Sequence, residues 1–125
     1  MSDSPRATAL ARQAAEALRS LNHATLGPDG ISQPGEAYDV LGDLSLAVSR
    51  IPQALAQLGR WLAAALAAGQ LGSSNGTDPS VAVSGAWMFI SDARGSAAAL
   101  AGNLSLAQQQ LSAVSGSLAE PEDQP

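Results

Sequence analysis

The stretch AYDVLGDLSLAVSRIPQALAQLGRWLAAA, residues 37–65, decides the fold of this chain. Its apolar residues recur at alternating spacings of four and three, the repeat of an α-helix that packs on another helix along one stripe. The positions are Ala37, Leu41, Leu44, Val48, Ile51, Leu55, Leu58, Leu62 and Ala65. The acids Glu36, Asp39 and Asp43 suit the positive end of a helix dipole. The pattern predicts a helix over about residues 35–68.

Pro52 lies inside this predicted helix, yet the four-three spacing of apolar residues continues past it. Proline removes a backbone donor and crowds the preceding turn, so it bends or ends a helix. Because the repeat keeps its phase through Pro52, a kink between Val48 and Pro52 is the first interpretation. The alternative is two helices, with Ser49 capping the second.

A further helix is predicted from Pro79 to about Ser117. Asp78 suits the N-cap and Pro79 the first helical position. The same alternation continues through Ala86, Ile90, Ala93, Ala97, Leu100, Leu104, Ala107, Leu111, Val114 and Leu118. Gly85, Gly95 and Gly102 indicate either a weak helix or, as we favour, the close approach of another backbone.

The two long helices are joined by a short polar segment around Ser74, which predicts an antiparallel, coiled-coil-like hairpin. Centring the turn on Ser74 sets the register. It pairs Leu58 with Ile90, Leu55 with Ala93, Ile51 with Ala97, Val48 with Leu100 and Leu44 with Leu104.

An amphipathic helix is predicted from Pro5, with Ser4 as its cap, to about His23. Its length suits a position beside the half of the hairpin formed by residues 37–52. The expected fold is therefore all-α, a three-helix up-down-up arrangement in one domain, residues 1–118. The acidic, proline-containing tail, residues 119–125, is expected to be disordered.

Composition excludes several functions. The chain has no Cys, a single His and a net charge of −5, with six Arg as its only basic residues. His23 suits the end of a helix, and Glu36, Asp39 and Asp43 suit a solvated first turn better than a metal site. We therefore expect no enzyme activity, no metal and no cofactor. The N-terminus lacks the pattern of a secretory signal and no segment is long enough to cross a bilayer, so we expect a cytoplasmic protein without membrane contact.

Aromatic residues and Met cluster near the predicted turn. The candidate interface residues are Trp61, Leu66, Trp87, Met88 and Phe89. The register places Trp61 level with Trp87, so the two rings form either a small local core or the centre of a protein-protein interface. The interface interpretation predicts a homodimer, or binding to another helical protein.

The most basic region is the first helix, where Arg12 and Arg19 are seven residues apart and share a face. They are candidates for contact with an anion, and thus for an accessory nucleic-acid-binding regulator. Two or three Arg in an acidic chain predict weak, salt-sensitive binding, and a solvated helix face is the simpler interpretation.

Several segments resemble small Ala-rich helical proteins of actinobacteria: residues 17–25, ALRSLNHAT; 38–42, YDVLG; 50–58, RIPQALAQL; and Trp61-Leu62. The resemblance covers about half the chain and implies no activity. The hairpin outline is similar to the WXG100 secretion family, although the turn has no Trp and the tail lacks that family's Tyr. The function hypotheses are thus a self-associating interaction module, a WXG100-like secretion substrate or partner, and the regulator above.

Overall fold

A computed structural model describes residues 6–115. Over these residues the protein is all-α, without a strand. The helices are α1 (Arg6–Ala24), α2 (Pro34–Ser49), α3 (Ile51–Ala67) and α4 (Pro79–Gln110). Contacts divide the described chain into two compact units, one containing α1 and the connection up to Ala37, the other running from Tyr38 to Val114. Ser4, Pro5, Ser117, Leu118 and the predicted tail lie outside the described residues.

The first unit contains α1, in which no residue is buried. His23 lies in its last turn, as predicted. After the helix, the Thr25 hydroxyl donates to the Leu21 carbonyl at 2.9 Å. The expected position of this helix beside the hairpin stays a prediction.

The predicted second helix is divided at Arg50 into α2 and α3. Arg50 keeps helical backbone angles, φ −90° and ψ −11°, and Pro52 occupies the first turn of α3. The hydroxyl of Ser49 donates to the Leu46 carbonyl at 2.6 Å, so Ser49 satisfies the end of α2 and does not cap α3. The break is one residue long and lies where the sequence predicts a bend.

The start of α4 forms as predicted. The Asp78 carboxylate accepts a hydrogen bond from the Ser80 backbone N–H at 2.9 Å, and Pro79 is the first helical residue. The backbone and side-chain hydrogen bonds from Ser80 lower the pKa of Asp78 below its ordinary value. The helix ends at Gln110, seven residues before its predicted end. There Ser112 donates to the Gln109 carbonyl at 2.8 Å, a local bond that competes with helix continuation.

Helices α2 and α3 both contact α4, which runs antiparallel to them. The Gln108 amide donates to the Tyr38 carbonyl at 3.2 Å, the Ser45 hydroxyl donates to the Ala101 carbonyl at 2.9 Å, and Trp87 lies against Gly59. From Tyr38 to Ser45 to Gly59 the contacting positions of α2 and α3 advance by 7 and then 14 residues, while α4 goes back by the same numbers, from Gln108 to Ala101 to Trp87. An antiparallel hairpin requires this relation. The register differs from the predicted one by two residues of α4, less than one helical turn.

The seam, by which we mean the line of residues where α2 and α3 meet α4, is rotated from its predicted position. Ile51, Leu58 and Leu100, all predicted to face the partner helix, are exposed. The buried residues of the hairpin are small: Ala56, Gly59, Ala65 and Ala97. Because helices approach closest where the facing side chains are small, these residues lie in or near the seam and several larger ones lie beside it.

The interpretation of the α4 glycines as points of close approach is wrong within the chain. A Cβ added at Gly85, Gly95 or Gly102 would meet no atom within 4 Å. The close approach is made instead at Gly59, where an added Cβ would overlap the ring of Trp87.

Candidate interaction surface

Five large apolar side chains of the hairpin remain exposed beside the seam. The exposed fractions are 42% for Ile51, 56% for Leu58, 60% for Trp61, 71% for Phe89 and 49% for Leu100. We call these five residues the apolar face. Three of them belong to α3 and two to α4.

Helix geometry places all five on one side of the hairpin. Each directly precedes a buried or half-buried residue of its own helix: Pro52, Gly59, Leu62, Ile90 and Ala101. One residue back along an α-helix is a rotation of about 100°. Since α3 and α4 run in opposite directions, the same rotation on each carries the side chains to the same side. Ile51, Leu58, Phe89 and Leu100 therefore lie beside the seam on both helices, and Trp61, about 160° from Gly59 on the same side, forms the outer edge of the face.

The opposite side of the hairpin is built differently. Residues that directly follow seam residues lie there, and they include Gln53, Arg60 and Ser91. Trp87 also lies on this side, where it closes over Gly59. Trp87 thereby acts as a packing residue of the hairpin and retains 40% exposure.

The sequence-predicted interface residues are consequently divided among four locations. Trp61 and Phe89 belong to the apolar face. Trp87 covers Gly59 on the other side, and Leu66 is half-buried near the seam. Met88 is exposed on the outer surface of α4, about 160° from the seam.

Sequence reasoning missed three members of the face, because Ile51, Leu58 and Leu100 fit the predicted seam. The available signal was the glycine directly after Leu58. A residue without a side chain, in a helix that packs on another, is a candidate for the point of closest approach.

The candidate anion contacts lie on α1. Arg19 forms an ion pair with Glu16 of the same helix, with 3.5 Å between the charged atoms. Arg12 is exposed. An exposed pair of this kind contributes little to stability.

Other possible sites are few in the described chain. Residues 6–115 contain no group of three or more His, Cys, Asp or Glu placed to hold a metal ion. An open cavity of about 370 Å³ lies at the tip of the hairpin, and none of its lining residues is charged: Leu71, Gly72, Ser73, Ser74, Asn75, Thr77, Pro79, Ala82 and Val83. No helix in the same range has the length and apolar character needed to cross a membrane.

Comparison with known proteins adds no relative. No protein-family model, curated protein or solved structure matches the chain.

Proposed function

We propose that this protein is a non-enzymatic helical interaction module that self-associates through its apolar face. The observation that carries the proposal is the continuous exposure of Ile51, Leu58, Trp61, Phe89 and Leu100 on one side of the hairpin. Aromatic and aliphatic side chains of this size are the residues that contribute most to binding at the centre of protein interfaces.

The exposed area fits a partner of protein size. An aromatic side chain presents about 150–250 Å² to a neighbour, so the five side chains at their observed exposures offer on the order of 500 Å². A standard interface covers about 800 Å² on each partner. Smaller residues of the same side, including Ala54, Ala93 and Ser96, extend the apolar face toward that area.

A second copy of the chain is the partner we propose. It brings the same face, and two-fold pairing of identical surfaces is the commonest form of assembly among soluble proteins. In the resulting homodimer α3 and α4 of the two copies form a four-helix layer around one shared core, a stable architecture for helices of this kind.

The test is the association state of the full chain and of two matched variants. Leu58 and Leu106 are the same residue type with nearly equal exposure, 56% and 57%, but Leu106 points away from the apolar face, about 160° from the seam. We expect a wild-type dimer at micromolar concentration in sedimentation equilibrium. Leu58→Gln should raise the dimer dissociation constant about tenfold or more, whereas Leu106→Gln should leave it unchanged. A wild-type monomer at these concentrations, or equal effects of the two variants, contradicts the proposal.

A further inference from the structure

The two helices of the apolar face differ in the size of their side chains. On α3 the face consists mainly of large residues, Ile51, Leu58 and Trp61, with Ala54 as its small member. On α4 the large residues Phe89 and Leu100 are separated by smaller ones. These small residues are Ala93 and Ser96 between the two, and Ala82 and Gly85 nearer the start of the helix.

Two identical hairpins can meet face to face about a two-fold axis in two ways. With the axis parallel to the helices, α3 of each copy lies on α4 of the other, and residues at the same height meet. With the axis across the helices, α3 lies on α3 and α4 on α4. The two arrangements bring together different side chains.

The register of the hairpin gives the contacts of the parallel-axis arrangement. Because Gly59 is level with Trp87, Trp61 is level with Gly85, and Ile51 lies near the height of Ser96. Leu58 then meets Phe89 of the second copy at the centre. Toward α2, Leu100 meets Ala47, which directly precedes the half-buried Val48.

Large side chains thus meet small ones along most of this arrangement. Trp61 lies opposite Gly85 of the second copy, and at Gly85 no atom lies within 4 Å of the Cβ position. The other arrangement sets the bulky stretches of α3 against each other and leaves the small residues of α4 facing each other across a gap. Protein interfaces are packed nearly as densely as protein interiors, so the complementary arrangement is favoured.

We infer that two copies of this chain pair about a two-fold axis parallel to the hairpin, with α3 of each copy packed on α4 of the other and Trp61 seated over Gly85 of the other. The inference rests on the proposed self-association and adds the arrangement of the copies.

Disulfide trapping tests the arrangement directly, because the chain has no Cys of its own. Ile51→Cys and Ser96→Cys are made as separate single variants, one with an affinity tag, and are oxidised alone and as a refolded mixture. The inferred dimer places these positions opposite each other, close enough for a disulfide. In the mixture we expect a disulfide that joins one copy of each variant. When either variant is oxidised alone, we expect little disulfide between its copies.

The outcomes separate this inference from the proposed function. If light scattering shows a dimer but Ile51→Cys alone cross-links as well as the mixture, or neither forms a disulfide, the arrangement is overturned and self-association stands. If the wild type is monomeric, both are overturned.

A second pair of variants tests the seat of Trp61. Gly85→Leu and Gly95→Leu both place a side chain in open space on α4 and both improve helix propensity. Gly85 lies about 120° from the seam on the side of the apolar face, whereas Gly95 lies about 160° from the seam toward the opposite side of the hairpin. We expect Gly85→Leu to raise the dimer dissociation constant tenfold or more and Gly95→Leu to change it less than twofold. Wild-type association of Gly85→Leu overturns the inferred arrangement.

Discussion

The two sides of the hairpin each carry an exposed tryptophan, but the two rings have different roles. On one side Trp87 closes over Gly59, in a space where any side chain at position 59 would collide with it. On the other side Trp61 stands at the edge of a row of exposed apolar residues, with 60% of its surface uncovered. The first ring completes the packing of the hairpin, and the second remains exposed.

The difference shows how residue size governs the packing of two apolar stripes. Each long helix has a stripe wider than one neighbouring helix can cover. Small residues allow α3 and α4 to pack closely along one edge of each apolar stripe. The other edge of each stripe stays exposed, and both exposed edges lie on the same side of the hairpin. A hairpin built in this way has an exposed apolar surface in addition to its seam, and this is the surface we propose for self-association.

The largest expected effect comes from filling the space beneath Trp87. Gly59→Leu should lower the free energy of unfolding by about 3 kcal/mol, because the new side chain displaces the ring and this cost exceeds the gain in helix propensity. Urea denaturation followed by circular dichroism measures it.

The matched control for that substitution is Gly95→Leu, where an added Cβ meets no atom within 4 Å. It should raise the stability by up to about 1 kcal/mol through helix propensity alone. Adding Trp87→Ala to Gly59→Leu should recover part of the loss, since the colliding ring is removed. Equal stabilities of the two leucine variants would show that Trp87 does not close over Gly59.

A smaller effect separates the two tryptophans themselves. Trp87→Ala should lower the free energy of unfolding by about 2 kcal/mol, less than a fully buried ring because Trp87 is partly exposed. Trp61→Ala should change it by less than about 0.5 kcal/mol when measured well below the dimer dissociation constant. At higher concentration Trp61→Ala should also lose the stability that association contributes. Comparable losses for both variants in dilute solution would contradict the division of roles.

Part of this architecture follows from the sequence. Alternate four and three spacings predict the helices, Asp78-Pro79 predicts the start of α4, and the loop around Ser74 predicts the hairpin register to within two residues. These features depend on local chemistry and on hydrophobic period, both of which the sequence displays directly.

The position of the seam within each stripe could not be predicted in the same way. Leu58 and Gly59 are neighbours, and the hydrophobic period favours Leu58 for the seam, whereas close packing favours Gly59. The choice depends on how Trp87 of another helix fits against that position, which is a property of the packed pair. The candidate site was missed for the same reason, since Ile51, Leu58 and Leu100 were assigned to the interior. Trp61 and Phe89 were already candidates in the sequence, because aromatic residues are enriched at the centres of protein interfaces.

The smallest expected effect concerns the polar contact at the α2 end of the seam. The Ser45 hydroxyl donates to the Ala101 carbonyl at 2.9 Å in a partly buried position. Ser45→Ala removes this hydrogen bond, worth about 1 kcal/mol, while Ala gains some helix propensity over Ser. Ser84→Ala, at an exposed position of α4, has the same propensity gain. The difference in free energy of unfolding between the two variants therefore isolates the hydrogen bond, and we expect Ser45→Ala to be the less stable by about 1 kcal/mol. Equal stabilities would mean that this bond does not help to hold α2 against α4.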